Sequence, residues 1–211
     1  MRLKGFLTSV ASRVVRRLIE PTVSEMISKS RAPQMIWGYR DCNGTWRPQT
    51  RISNTVSISH PEHVHIADNV FIWHYTILDG TGGLFINEGA QIGAWVGIFT
   101  HSSHVAIRLL GNHYQEVEEQ DKPAYSVKST HIGRYVFIGA GSKVMPGVLI
   151  GDGAIVSAGT IVTHSVPPFS VVAGDPGKIV GDVRKIDARY LDDPKIRSWY
   201  EEWTKACGIQ K

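Results

Sequence analysis

From Ile132 the chain keeps a six-residue beat: IGRYVF, IGAGSK, VMPGVL, IGDGAI, VSAGTI, VTHSVP, each block opened by an aliphatic residue. The fifth position repeats too, as Val136, Ser142, Val148, Ala154, Thr160 and Val166, all small or β-branched. An α-helix repeats every 3.6 residues and a lone strand every two, so neither generates both series. A hydrophobic period of six belongs to a β-helix, in which short strands coil into a solenoid around a continuous core. Each flat face then contributes one inward aliphatic residue, and the glycines after it suit the tight corners between faces.

The period extends upstream. Ile66, Ile72 and Leu78 open blocks, and after a two-residue slip so do Ile86, Ile92 and Ile98. Ile52 and Ile58 open degenerate blocks that break at Pro61. With three faces per turn, residues 52 to 167 supply about five coils, enough neighbouring rungs for a shared core. The phase fails between Ser103 and Ile132, where Glu116, Glu118, Glu119, Gln120 and Asp121 replace the aliphatic period. A long loop inside a compact domain is commonly functional, so residues 103–131 are the first place to seek a site.

The sequence divides into a helical or irregular arm (1–51), the β-helix domain (52–182) and a helical tail (183–211). At 211 residues and 42% hydrophobic content this is one domain with appendages. Two cysteines, Cys42 and Cys207, provide neither a disulfide framework nor a four-cysteine zinc site, and point to a reducing compartment. No apolar run reaches the ~20 residues that cross a bilayer. Residues 1–31 hold seven Lys or Arg against two acids, a net of +5 in a chain of +4, so the basic character belongs to one end. No recognition-helix or zinc-finger pattern accompanies it, which excludes the usual nucleic-acid readers.

In that arm Leu3, Phe6, Leu7, Val10, Val14 and Leu18 recur at helical steps, interrupted by Arg13, Arg16 and Arg17 in a way unlike a signal peptide. Two uses remain open: a cap over the first coil or a neighbouring subunit, or a basic amphipathic helix on the inner face of a membrane. The cytoplasm is the expected location. At the other end Pro167-Pro168 stops the repeat, VVAGDPGKIVGD reads as an irregular exit, and residues 187 to about 206 read as a closing helix. Trp199 and Trp203 there share one face, suited to core packing.

The hexads, the His-bearing stretch IFTHSSH and the exit IVTHSVPPFSVVAGDPGKIV resemble the hexapeptide-repeat acyltransferases, nearest the maltose, galactoside and polysaccharide O-acetyltransferase branch. The resemblance covers residues 52 to about 182. It implies an all-β, left-handed parallel β-helix with terminal helices and one long protruding loop. It also implies a homotrimer, acetyl-CoA in the groove between adjacent solenoids, and a loop histidine as general base.

Transfer from a thioester to a hydroxyl needs a base near neutral pKa beside the acceptor oxygen, and histidine, at about 6.5, qualifies. His101 and His104 lie three and six residues past Ile98. The family places its base where the chain leaves the coil, which favours His104 and leaves His101 to orient the site or touch the acceptor. Backbone amides, Ser102 or Ser103 are candidates for the oxyanion. The HxxH pair has no Cys, Asp or Glu partner before Glu116, so no metal is expected there. Both cysteines lie outside the repeat, which favours direct transfer over a covalent intermediate.

In IWHYTILDG, Asp79 matches the family's acceptor pocket and either orients the base or binds a sugar hydroxyl; a plain corner turn is the equal alternative. Relatives carry Asn or Asp near the position of His74, where this chain has Trp73, His74 and Tyr75, and an aromatic wall there suits a pyranose face. For acetyl-CoA the resemblance points to Ala140, Ala158 and Gly159 along the pantetheine arm and to Thr163 and His164, the latter replacing a family lysine. Lys178, with Arg184, is placed to meet the phosphates. These features imply an O-acetyltransferase acting on a sugar hydroxyl in bacterial surface polysaccharide synthesis. N-acetylation of a nucleotide-linked amino sugar is the alternative. A non-catalytic scaffold and a carbonic anhydrase, which needs three histidine ligands, are the other classes open to this repeat.

Overall fold

The computed structural model describes residues 32–208. The chain divides into two units, 1–34 and 35–211, and every strand and helix of the described residues belongs to the second. The N-terminal helix expected in the first thirty residues lies outside the described residues.

A hairpin of β1 (Met35–Arg40) and β2 (Trp46–Ser53) opens the unit. From β2 the chain winds through β3 (Ser57–Ser59) and β4 (Val64–Ile66) to complete one coil. The second coil is β5 (Phe71–Ile72), β6 (Ile77–Asp79) and β7 (Leu84–Ile86). The third begins with β8 (Gln91–Ile92) and β9 (Gly97–Ile98), departs through β10 (His101–Ser102), and returns through β11 (Ser126–Val127) to β12 (Thr130–Ile132). The fourth is β13 (Phe137–Ile138), β14 (Lys143–Val144) and β15 (Leu149–Ile150). The fifth is β16 (Ile155–Val156) and β17 (Ile161–Val162), closed by a parallel bridge from Val166 to Ile150.

Strands stack in register on three faces. Face A runs β2-β5-β8-β13-β16 into β18 (Ser170–Ala173) and β19 (Lys178–Asp182); face B is β3-β6-β9-β14-β17; face C is β4-β7-β12-β15. Pairing between coils is parallel throughout, as in Ile132↔Ile86 and Ile132↔Ile150, and the whole is a left-handed parallel β-helix.

The hexad explains the core directly. The openers Ile132, Ile138, Val144, Ile150, Val156 and Val162 are all buried, and so are the fifth-position residues from Val136 to Val166. Each large aliphatic side chain so removed from water contributes about 1.5–3 kcal/mol. Upstream, Ile66, Ile72, Leu78, Ile86, Ile92 and Ile98 join the same cluster.

Two positions of the hexad carry distinct backbone demands. Three residues past the opener the chain turns with positive φ, at Gly141 (+75°), Gly153 (+67°) and Gly159 (+71°), but also at Tyr75 (+60°), Trp95 (+56°) and Tyr135 (+54°); Phe169 (+57°) does the same three residues past Val166. The glycine immediately after an opener serves another need. A Cβ on Gly139 would stand 2.4 Å from the Ala158 amide, and one on Gly151 2.5 Å from Pro168 N. The left-handed corners are therefore separate from the post-opener glycines, which exist so that the next coil can approach.

Both ends differ from the sequence reading. Residues 35–51, expected in a helical or irregular arm, form the β1–β2 hairpin, which covers the outer edge of face A. The exit after Pro167-Pro168 is not irregular: β18 continues face A in parallel with β16, and β19 folds back on it antiparallel. The closing helix is broken into α2 (Val183–Asp187), a short 3-10 turn, and α3 (Pro194–Ala206); α1 (Ala106–Leu110) lies in the excursion. Asp193 caps α3 by accepting from the amides of Lys195 and Ile196. Trp203 packs against Tyr135 and Phe169 at 4.7 and 5.6 Å, whereas Trp199 is exposed beneath Lys195 instead of joining the core.

Gly139→Ala and Gly141→Ala separate the two glycine classes. A methyl at 139 must push backbone and costs about 3 kcal/mol. One at 141 meets nothing within 4 Å and carries only the left-handed penalty of about 1–2 kcal/mol. Urea unfolding of the two variants at unchanged m-value measures the difference.

Candidate functional site

The site begins where β9 ends and the chain leaves face B. The excursion is held at its root by a two-residue antiparallel ladder, His101↔Val127 and Ser102↔Ser126, and by the Lys128 amide donating to the Thr100 carbonyl at 2.8 Å. This root fixes His101 against the coil below. Its Nδ1 lies 2.7 Å from Oδ2 of Asp79, the last residue of β6.

Asp79 is buried, with a side chain 3% exposed. Its Oδ1 accepts from the Thr81 amide at 3.0 Å and the Thr81 hydroxyl at 2.6 Å. Its Oδ2 accepts from the Thr100 amide at 2.7 Å and lies 2.9 Å from the Thr100 hydroxyl, in addition to His101. Burial alone pushes this carboxyl up. The bonds from Thr81, Thr100 and His101 outweigh it and hold the group well below the usual carboxylate range.

An ionised carboxylate only accepts. His101 therefore carries its proton on Nδ1 when neutral, leaving the Nε2 lone pair for the solvent side of a residue that is 39% exposed. This is the arrangement of an oriented general base. Tyr125, from the returning limb, places its ring 6.0 Å from the imidazole. Burial, then Glu119, pushes its hydroxyl up.

His104 is exposed, and its Nδ1 faces only the Ser102 hydroxyl at 2.7 Å. A hydroxyl both donates and accepts, so this bond leaves the tautomer of His104 free. The chain leaves the coil at His101, and the histidine with a carboxylate behind it is the one nearer the coil. Thr81, Thr100 and Tyr125 were not singled out from the sequence. The Thr-His dipeptide and the turn-forming Asp-Gly-Thr were the available signals for the first two.

Trp73 and His74 do not join this cluster within the chain. They precede β6 at the A–B corner, whereas Asp79 ends β6 at the opposite end of face B. His74 Nδ1 is 2.7 Å from the Ser53 hydroxyl, a tie to the coil below, and Trp73 is exposed.

Of the residues expected along a coenzyme arm, Ala140, Ala158 and Gly159 form a strip on that same A–B corner, whereas Thr163 and His164 follow β17 at the B–C corner, the side from which the excursion leaves the third coil. Ala140 and Ala158 flank Gly141 and Gly159, where an added Cβ meets nothing within 4 Å, so the backbone is open to close approach. Ala158, Gly159, Thr163, His164 and Lys178 are exposed, and the Thr163 hydroxyl pairs with His164 Nδ1 at 2.9 Å. Arg184 is committed to Asp182 through a two-pronged pair at 3.0 and 2.6 Å, leaving Lys178 the less encumbered cation.

Neither cysteine is poised as a nucleophile. Burial raises both thiols, with Asp41 adding to the effect at Cys42 and Asp152 at Cys207. No helix among the described residues is long and apolar enough to cross a membrane.

Comparison with known proteins agrees with this architecture. Residues 129–164 match the bacterial transferase hexapeptide family (six repeats). The chain is 30% identical to a serine acetyltransferase of Mycobacterium tuberculosis over 172 residues, covering 76% of this chain and 66% of that protein. It is 30% identical to a galactoside O-acetyltransferase of Escherichia coli over 145 residues, 68% of this chain and 66% of that protein. The chain thus spans slightly under two thirds of each of these relatives. A solved galactoside acetyltransferase in complex with coenzyme A superposes with a TM-score of 0.53 at 26% identity, covering 63% of this chain and 62% of that one.

Asp79→Asn tests the carboxylate. The variant loses about 2 kcal/mol at neutral pH, because an amide nitrogen then faces the Thr100 or Thr81 donors. A carboxyl held low in the fold contributes fully above its unfolded value near ~3.9, and the contribution is lost as pH falls through the folded value. The difference in Tm from wild type is therefore constant down to about pH 5 and narrows below about pH 4.

Proposed function

This chain belongs to the hexapeptide-repeat transferase family, and from that premise we propose that it is an acetyl-CoA-dependent O-acetyltransferase acting on a sugar hydroxyl, with His101 as general base. The observation that carries the reading is the 2.7 Å contact between His101 Nδ1 and the buried Asp79 carboxylate. It supports His101 in the role that loop spacing alone assigns to His104.

In this mechanism Nε2 of His101 takes the proton of the acceptor hydroxyl as its oxygen attacks the thioester carbonyl. The carbon–sulfur bond then breaks, and the imidazolium returns the proton to the departing thiolate. Asp79 stays ionised, keeps the ring in one tautomer and stabilises the charged imidazole between the two transfers. General base catalysis of this kind contributes about 10²–10⁴ in rate. Direct transfer requires no protein nucleophile, in keeping with the raised thiols of Cys42 and Cys207.

The acyl donor is proposed to lie along the A–B corner, with its arm on Ala140, Ala158 and Gly159 and Lys178 toward the phosphates; Thr163 and His164, at the far end of face B, lie off that strip. The open backbone at Gly141 and Gly159 supports that placement. Within one chain this strip and His101 flank opposite ends of face B. A homotrimer that seats one chain's strip against the next chain's excursion would unite them, and would bring Trp73 and His74 toward a neighbour's Asp79 as an acceptor wall. A role in bacterial surface polysaccharide synthesis is consistent with a sugar acceptor.

Release of coenzyme A is measured with a panel of free sugars, polysaccharide fragments and nucleotide-linked amino sugars. His101→Ala lowers kcat by about 10²–10⁴, whereas His104→Ala stays near wild type. Activity surviving in His101→Ala but not in His104→Ala returns the base to His104. Turnover confined to the amino sugars makes the protein an N-acetyltransferase.

A further inference from the structure

The tip of the β1–β2 hairpin carries side chains that acyl transfer leaves unused. Its turn is tight: the Gly44 amide donates to the Asp41 carbonyl at 2.7 Å and the Asp41 amide to the Thr45 carbonyl at 2.9 Å. The turn presses Asp41 onto β4, the terminal strand of face C. Asp41 is 4% exposed, and its Oδ1 accepts from the Ile66 amide at 2.9 Å. Its Oδ2 has a long contact, 3.5 Å, from Arg47, and the carboxylate also accepts from the neighbouring Cys42 thiol.

Beside that oxygen, Cys42 Sγ lies 3.1 Å from Nδ1 of His65. His65 points outward from face C, and its ring is stacked on Phe85 at 4.6 Å and 3°, which holds the imidazole plane. One ligand atom each from Asp41, Cys42 and His65 falls within 4.8 Å of the others. His65, Asp41 and Arg47, with Asn43 and Asn87, line an open pocket of about 220 Å³. The Nε of Arg47 is buried there without a hydrogen-bond partner.

We propose that Asp41, Cys42 and His65 bind one divalent cation of the zinc class, with its fourth position open to the pocket. A thiolate, an imidazole and a carboxylate together are a borderline-soft donor set; magnesium and calcium select oxygen. Tetrahedral zinc, with bonds of about 2.3 Å to sulfur and 2.0–2.1 Å to nitrogen and oxygen, sets its ligand atoms roughly 3.3–3.6 Å apart. The observed spread of 3.1 Å to no more than 4.8 Å brackets that spacing. A thiol–imidazole hydrogen bond accounts for the shortest distance. With the Ile66 amide and Arg47 it accounts for the separate contacts, but not for the convergence of carboxylate, thiol and imidazole beside one open pocket.

The thiolate and carboxylate neutralise the ion, and neutral His65 completes the set. The bound cation ties the hairpin tip to β4 and closes the open end of the first coil. These residues are separate from the His101–Asp79 pair, so this site stands or falls independently of the acyl-transfer reading.

The test uses the full chain, stripped with chelator and titrated with Co²⁺. One thiolate-to-cobalt charge-transfer band per chain is expected, saturating at one equivalent. Cys42→Ser abolishes the band and Cys207→Ser keeps it. His65→Ala and Asp41→Asn, the latter retaining an oxygen for the Ile66 amide, weaken Co²⁺ at least tenfold. Zn²⁺ raises the Tm of wild type and leaves that of Cys42→Ser unchanged. Absence of the band in wild type, or its persistence in Cys42→Ser, overturns the proposal.

Discussion

Stacking coils at strand spacing forces two backbones together at every corner, and the rest of the molecule accommodates that approach. Gly93, Gly133, Gly139 and Gly151 follow their openers because the amide of the next coil lies within 3 Å of where a Cβ would stand. The left-handed corner two residues later is a softer demand. Glycine meets it freely, but Tyr75, Trp95, Tyr135 and Phe169 also adopt it, at about 1–2 kcal/mol each. Two of these large residues cover a neighbouring corner. Tyr135 lies over Gly89, Phe169 over Gly153, and Trp203 of α3 lies over Gly153 and packs against both rings. The terminal helix is thus anchored on a ladder of glycine and aromatic corners.

The same stacking builds the site. Asp79 closes face B of the second coil, and Thr100 and His101 leave face B of the third. The spacing between coils therefore sets the distance from the carboxylate to the imidazole. A site assembled from consecutive rungs inherits their rigidity, whereas His104, two residues further along the excursion, has only Ser102 to orient it.

What the sequence made legible follows from this. Any residue whose role is set by the hexad could be read, and so could the place where the hexad stops. The ends could not, because the β1–β2 and β18–β19 hairpins are antiparallel covers outside the six-residue rule. Proline marked the end of the repeat at Pro167 without ending face A, since β18 needs only parallel register with β16. The carboxylate behind His101 was likewise hidden. It belongs to a pair 22 residues apart in sequence, brought together by the slip at residues 80–83, where the Gly82 amide donates to the Thr100 hydroxyl. Cys42 and His65 meet for a comparable reason, through a hairpin that no periodicity announces.

Asp79 then joins stability to chemistry. A buried carboxylate survives ionised only when its oxygens are saturated, and here donors come from Thr81 on one coil and from Thr100 and His101 on the next. Those bonds clamp the second coil to the third at the root of the excursion, so the residues that keep Asp79 charged also hold the loop in place. Because the carboxylate can only accept, the clamp dictates which nitrogen of His101 bears the proton. A histidine oriented in this way needs no reorganisation before it takes a proton. The clamp that closes the solenoid around its longest interruption is therefore also what orients His101 for the proposed role of base.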